Sequence, residues 1–234
     1  MLDPRRKLIC SMFAVATFAA TSVIAADAVN TMAERTKACV VCHGKEGRAG
    51  TDAYYPRIAG KAEGYLYNQL INFREGRRHY APMTYLINPL SDEYLREIAK
   101  HFAEQHPPYP LPQVVDVPGE TLERGRALVI FGDASKKMPA CVACHGKSLT
   151  GVAPAIPGLL GLPRPYISAQ LGSWKNGSRR ATAPDCMAEI ASRLTENDVR
   201  AVAAWLASQP IPGNAAPASG PTDDLPLPCG SAPK

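Results

Sequence analysis

Two stretches of this 234-residue chain follow one pattern, and that repeat limits the fold more than any other feature of the sequence. Cys39-Val40-Val41-Cys42-His43-Gly44 is answered 102 residues later by Cys141-Val142-Ala143-Cys144-His145-Gly146. Pro56, Gly60, Tyr65, Gln69, Phe73 and Gly76 are answered by Pro157, Gly161, Tyr166, Gln170, Trp174 and Gly177, now at an offset of 101. Met83, with Leu90 seven residues on, is answered by Met187 with Leu194 at an offset of 104, so the loop before the methionine is three residues longer in the second copy. A pattern that recurs in order over such a distance makes each copy a structural unit of its own. The expected organisation is a first domain at 27–107, a Pro-rich linker at 108–117, a second domain at 118–212 and an irregular tail at 213–234.

Both copies read as helical. The first helices are expected at about Val29 to Cys39 and about Glu120 to Phe131. Tyr65, Gln69 and Phe73 recur at i, i+4 and i+8, which puts them on one face of a second helix. A third helix closes each copy, with Ser91 placed to cap one and Thr195 with Asp198 forming a capping box on the other. The run from His106 to Pro112 is too rich in proline for helix and reads as an extended connection.

Composition sharpens what fills the interior. Aromatic residues are only 7% of the chain while cysteines number seven, so the cores need a filler other than aromatic rings. Cys-x-x-Cys-His is the attachment signature of c-type haem: the thiols bond the macrocycle and the adjacent histidine lies under it. Zinc would need further soft ligands at suitable spacing, and a redox dithiol would need a βαβ pattern that the chain lacks. Two matches with shared downstream patterns favour haem, which would also supply the missing core volume.

Residues 1–26 have the three-part layout of an export signal: Arg5, Arg6 and Lys7, then an apolar run, then small residues. Cleavage is expected after Ala25 or Ala26, an uncleaved anchor being the alternative. Removal of Cys10 with this segment would leave six cysteines in an oxidising, periplasmic setting. No later segment is long and apolar enough to span a bilayer. A net charge of +5 without a basic stripe argues against nucleic acid as a partner.

The chain resembles the dihaem class I cytochromes c, and within them the cytochrome c4 family, in its doubled run of C-x-x-C-H-G, Pro-x-x-x-Gly, aromatic helix, methionine loop and closing helix. The resemblance spans about Val29 to Gln209. It implies an all-α fold of two tandem class I cytochrome c domains, each wrapped around one covalently bound haem c. Cys39 and Cys42 would hold one haem, and Cys141 and Cys144 the other. His43 and His145 would be the proximal ligands, their rings bonded to the carbonyls of Pro56 and Pro157. Met83 and Met187 would complete the two iron sites. His145 is the only histidine of the second copy, so its distal ligand is not a histidine of the same domain; in the first copy His79 is the rival to Met83.

A His/Met pair is the ligation of electron carriers. The expected activity is electron carriage between respiratory-chain partners such as a dehydrogenase and a terminal oxidase, some of them membrane-associated, with no catalytic turnover. Three readings of Cys186 and Cys229 stay open. They form a disulfide, they are free thiols, or Cys186 ligates iron as a thiolate, which would imply an enzyme of thiosulfate-type oxidation. Arg77-Arg78 and Arg179-Arg180 sit in matching loops, where they would meet haem propionates, an acidic partner or solvent.

Overall fold

A computed structural model describes residues 30–50, 52–220 and 224–232. The export segment read at 1–26 lies outside the described residues. The chain divides into two compact units, one ending at Arg35 and one running from Thr36 to the C-terminus. In the first, the described residues form one helical turn, α1 (Met32–Arg35), with Arg35 Nε donating to Asn30 Oδ1 at 3.0 Å.

The second unit opens with α2 (Lys37–His43), so the single helix expected to Cys39 is instead two short ones broken at Thr36, whose φ of −98° and ψ of 8° leave the helical region. Cys39 therefore lies inside α2, one turn before His43. The remaining helices of the first lobe are α3 (Glu63–Arg74), α4 (Ala81–Ile87) and α5 (Asp92–Ala103). Ser91 caps α5 by accepting from Tyr94 N at 3.2 Å, and Asp92 and Glu93 complement the helix dipole in its first turn. The buried face of α5 carries Leu95, Ile98, Ala99 and Phe102, and it packs on α3, whose buried residues include Leu66, Leu70 and Phe73.

The second lobe repeats the plan with one addition. Its first helix, α6 (Gly119–Ile130), ends eleven residues before Cys141 rather than running up to it, and a single 3-10 turn at Ala134–Lys136 fills the gap. Then come α7 (Val142–His145), α8 (Arg164–Lys175), α9 (Cys186–Arg193) and α10 (Glu196–Ser208). Thr195 and Asp198 form the capping box of α10, and the Asp198 carboxylate also takes Arg124 Nε at 2.8 Å and Lys136 Nζ at 2.5 Å. This ties the start of α10 to α6 and to the inserted turn.

Among the described residues of this unit is a short antiparallel pair, β1 (Gly151–Val152) with β2 (Ile156–Pro157). Glycine makes it possible: a Cβ on Gly151, at φ +96°, would lie 2.5 Å from Ile156 O. Helical periodicity carries no sign of so short a pairing.

The segments around Gln113 and in the tail have no regular structure, but both are tied to the lobes. Gln113 N donates to Ala207 O at 2.9 Å, and Gln113 Oε1 accepts from Arg164 N at 3.2 Å. In the tail, Ala218 N donates to Gly151 O at 2.9 Å, and Gly230 N donates to Pro184 O at 2.8 Å. Asn68 of α3 reaches across to Ser231 O at 3.0 Å. Cys186 and Cys229 form a disulfide that closes a separation of 43 residues. Chain-entropy reasoning gives such a closure about 4 kcal/mol of stabilisation.

The core of the second lobe is built where α6 crosses α10. Leu128, Val129, Val202 and Leu206 are buried there, and Gly125 sits at the crossing, where a Cβ would lie 2.2 Å from Ala201 O. Gly125→Ala must push the two helices apart. It is expected to destabilise the holoprotein by about 1–3 kcal/mol, seen as a lower denaturant midpoint; an unchanged midpoint would show that the helices are not held this closely.

Candidate functional site

In each lobe, one short helix and the strap that follows it bring a histidine to a proline carbonyl. His43 closes α2 and its Nδ1–H donates to Pro56 O at 2.9 Å; His145 closes α7 and donates likewise to Pro157 O at 2.8 Å. A carbonyl can only accept, so Nδ1 carries the proton and Nε2 keeps the lone pair that binds a metal. Both rings are buried, and burial holds each imidazole below its ordinary pKa, in the neutral form a ligand requires.

The cysteines lie on the same helical turns. Cys39 and Cys42 flank Val40 and Val41 on α2, and Cys141 and Cys144 flank Val142 and Ala143 at α7; all four are half-buried and outside any disulfide. Burial pushes the Cys39 and Cys144 thiols up, and Cys141, with Cys144 adding to the effect, up to about 12. Paired thiols one turn apart with an adjacent imidazole are the set that the attachment signature of c-type haem provides. Among the described residues no group of histidine, cysteine and carboxylate side chains forms a metal cluster.

The methionines sit at the starts of corresponding helices. Met83 is in the first turn of α4 and Met187 in the first turn of α9, and both are half-buried. Thr84 Oγ1 donates to Phe73 O at 3.2 Å, which ties α4 to α3. In the second lobe Asp185 caps α9 through Ala188 N at 3.0 Å and also holds the preceding loop through Ala181 N at 2.7 Å. His79, the rival ligand, is on an exposed loop whose backbone N–H donates to Ser178 O at 3.2 Å. Met138 is buried in the second core. Cys186 is committed to the disulfide, so neither the free-thiol nor the thiolate reading of that residue applies.

The arginine loops of the two copies meet each other. Arg78 and Arg179, 101 residues apart, face each other across the two lobes as an isolated antiparallel bridge. Arg78 donates to Gln69 Oε1 at 2.9 Å, Gln170 Oε1 at 2.7 Å and the Tyr166 hydroxyl at 3.1 Å. Arg179 donates to Gln170 Oε1 at 2.7 Å and Gln69 Oε1 at 2.9 Å. Each glutamine thus accepts from both arginines. Arg77 instead pairs with Glu75 and Asn72, and Arg180 is exposed. The shared offset of Gln69 with Gln170 and of Arg78 with Arg179 was the signal for this cluster in the sequence.

The cluster carries two positive charges and no carboxylate. Arg179 is buried, its guanidinium 3.8 Å from the centre of the Trp174 ring, and Arg78 stands 4.5 Å from that of Phe73. Burial alone would raise the Tyr166 hydroxyl, but Arg78 and Arg179 bring it below its ordinary pKa. Trp174 Nε1 is buried with no hydrogen-bond partner. Buried cations and an orphaned N–H call for an anion. A haem fits this set: its propionates suit the cations, its vinyl groups the thiols, and its iron the histidine Nε2.

Helical lobes carrying this set of groups twice define a c-type cytochrome. A model of the family "Cytochrome c" matches residues 123–210, which is the second copy. The chain is 38% identical over 176 residues to a thiosulfate dehydrogenase electron acceptor of Thiomonas intermedia, covering 74% of this chain and 79% of that one. It is 34% identical over 172 residues to cytochrome c4 of Pseudomonas aeruginosa, covering 72% and 82%. Among solved structures it resembles the thiosulfate dehydrogenase TsdBA of Marichromatium purpuratum with a TM-score of 0.65 and 31% identity, covering 74% of this chain and 36% of that longer one. The chain belongs to the cytochrome c4 family of haem-binding electron carriers.

The arginine and glutamine cluster is a polar tie between the lobes. Arg179→Leu leaves two glutamine oxygens short of a charged donor and is expected to cost about 3 kcal/mol. Thermal unfolding of the holoprotein should then split into two transitions. A single transition at the wild-type temperature would show that the cluster does not couple the lobes.

Proposed function

We propose that this chain is a periplasmic dihaem carrier that takes electrons from a thiosulfate-oxidising dehydrogenase and passes them to a respiratory acceptor. The observation that carries this reading is the doubled arrangement of thiols, a Nδ1-anchored histidine and a methionine-bearing helix, joined by one shared cluster of cations. Domains at 27–107 and 118–212 would each hold one haem c. Cys39 and Cys42 would attach the first and Cys141 and Cys144 the second, with His43 and Met83, then His145 and Met187, as axial ligands. Haem supplies a one-electron iron couple, and a thioether opposite histidine favours the ferrous form.

The protein's own contribution is positional. Pro56 and Pro157 fix the tautomer and orientation of the proximal rings. Arg78 and Arg179 offer guanidinium forks to propionate carboxylates at the lobe boundary, and Trp174 Nε1 offers a further donor. If a histidine and a methionine hold each iron, no position there would be open for a substrate, which favours a carrier over an enzyme. Cys186 adds no thiolate, because it is bonded to Cys229. An association with a dehydrogenase is supported by two relatives, one described as a thiosulfate dehydrogenase electron acceptor and the other a longer thiosulfate dehydrogenase chain that this one matches over part of its length. The periplasmic location is supported by the export signal expected at residues 1–26.

Two measurements test the reading. In the ferric protein the weak far-red charge-transfer band of methionine ligation should have an intensity fitting two haems, and Met83→Ala and Met187→Ala should each remove about half of it. A spectrum indifferent to either change assigns that iron another ligand. Separately, a purified thiosulfate dehydrogenase with thiosulfate should reduce this protein rapidly and to completion. Reduction by ascorbate but not by the dehydrogenase would leave an electron carrier with a different donor.

A further inference from the structure

The two lobes match closely at their proline straps except for their charges. In the first lobe Arg57 follows Pro56 directly. It is buried, donates to Ala59 O at 3.2 Å, Pro107 O at 2.6 Å and Pro108 O at 3.0 Å, and lies 3.8 Å from the centre of the Tyr109 ring. A cation that cannot be deprotonated is thus built in beside the first proximal histidine. The corresponding residue of the second lobe is Gly158, where a Cβ would lie 2.4 Å from Thr150 O. No side chain fits at that position, so the second strap has no cation of its own.

One arrives from the other lobe. Lys61 of the first lobe is 5% exposed, and its Nζ donates to Gly158 O at 2.9 Å. Gly158 adjoins Pro157, whose carbonyl holds the His145 ring at 2.8 Å. Lys61 lines a small cleft with Leu149, Thr150, Leu160 and Ile211. It makes no ion pair among the described residues. The titratable or charged groups around it are Arg57 on its own strap, His106 across Gly60, Tyr109 of the linker and His145. The counterpart of Lys61 at the offset of 101 is Leu162, an apolar residue packed on the second core. The charge therefore passes in one direction only.

We propose that Lys61 is a positioning residue for electron transfer: the ammonium that the first lobe sets against the Gly158 carbonyl raises the reduction potential of the haem in the second lobe, with no reciprocal effect. The inference rests on the reading that Cys141, Cys144 and His145 hold a haem. The physics is a charge balance. Reduction removes one unit of positive charge from the iron centre, so a buried cation nearby stabilises the reduced form. Burial, with the charge of Arg57 adding to it, pushes Lys61 down to about 7. Below that pH the ammonium is present and the potential is high. Above it the amine is neutral in the oxidised protein; the donor's electron is then accompanied by one proton from solvent, taken up on Nζ, and the potential falls as pH rises. Arg57 keeps its charge throughout, so the first haem should show no such step.

The test is a spectroelectrochemical titration of the holoprotein across pH, with haem per chain counted first by the pyridine haemochrome. Lys61→Gln keeps a donor for the Gly158 carbonyl and removes the charge. Below neutral pH it should make reduction of one haem about tenfold less favourable, about 59 mV for a one-electron couple, and leave the other haem where it was. Well above neutral pH, variant and wild type should converge. Lys61→Arg should hold the high potential through the whole range. The couple that moves should be the one tracked by the methionine methyl resonance that Met187→Ala abolishes. Two haems per chain with both potentials unchanged in Lys61→Gln, or with both displaced equally, would overturn the role of Lys61. One haem per chain would instead overturn the dihaem reading on which it rests.

Discussion

A histidine ring has two nitrogens, and it can serve as a firm metal ligand only if the other one is committed elsewhere. In both lobes it is committed to a proline carbonyl, at 2.9 Å for His43 and 2.8 Å for His145. Proline suits this role because it has no N–H of its own and a fixed φ, so the strap presents its carbonyl without a competing local bond. The short helices α2 and α7 end at the histidine, which puts Cys42 and Cys144 next to it and Cys39 and Cys141 one turn back. The straps run onward into α3 and α8, where Gln69 and Gln170 stand, and those helices lead to the loops of Arg78 and Arg179. The bond from Nδ1 thus fixes the ring that would ligate iron in the proposed reading, and the strap that accepts it leads on to the lobe boundary.

That boundary explains why the molecule behaves as one unit from Thr36 onward rather than as two beads on a proline thread. Two guanidiniums share two glutamine oxygens, so neither lobe satisfies its own arginine alone. The linker is likewise committed, with Pro107 and Pro108 accepting from Arg57 and Gln113 bonded to the second lobe. The tail closes the arrangement from the other end, through Cys229 on Cys186 and Ser231 on Asn68. Segments rich in proline lack internal hydrogen bonds, and here that leaves their carbonyls available for side chains of the lobes.

Much of the proposed site was legible in the sequence because the attachment signature of c-type haem has a fixed local spacing. The motif from Cys39 to His43 and its copy need no tertiary context to be read. The same holds for the caps at Ser91 and Thr195, which act within one helical turn. The break at Thr36 was not legible, since nothing in the periodicity from Met32 to His43 opposes one continuous helix. Nor was the β1 and β2 pair, which depends on how closely Gly151 lets two chain segments approach. The pairing of Arg78 with Arg179 was half legible: the offset ties them together, but only the packing of the lobes shows that they share partners and that Arg77 and Arg180 do not.

Duplication gives two equal sites, and equal sites would leave an electron with no preferred end. The differences between the copies therefore matter more for carriage than what they share. The loop before Met187 is longer than that before Met83, and it is covered by the tail, with Gly230 so close to Ala183 that a Cβ would lie 2.2 Å from its carbonyl oxygen. At the straps, a permanent cation serves the first histidine while the second depends on Lys61, a group that can lose its charge. At the straps the difference arises because Gly158 leaves no room for the side chain that Arg57 has in the first copy. Departures from the repeat are thus the places to look for direction in a protein whose repeated parts supply only capacity.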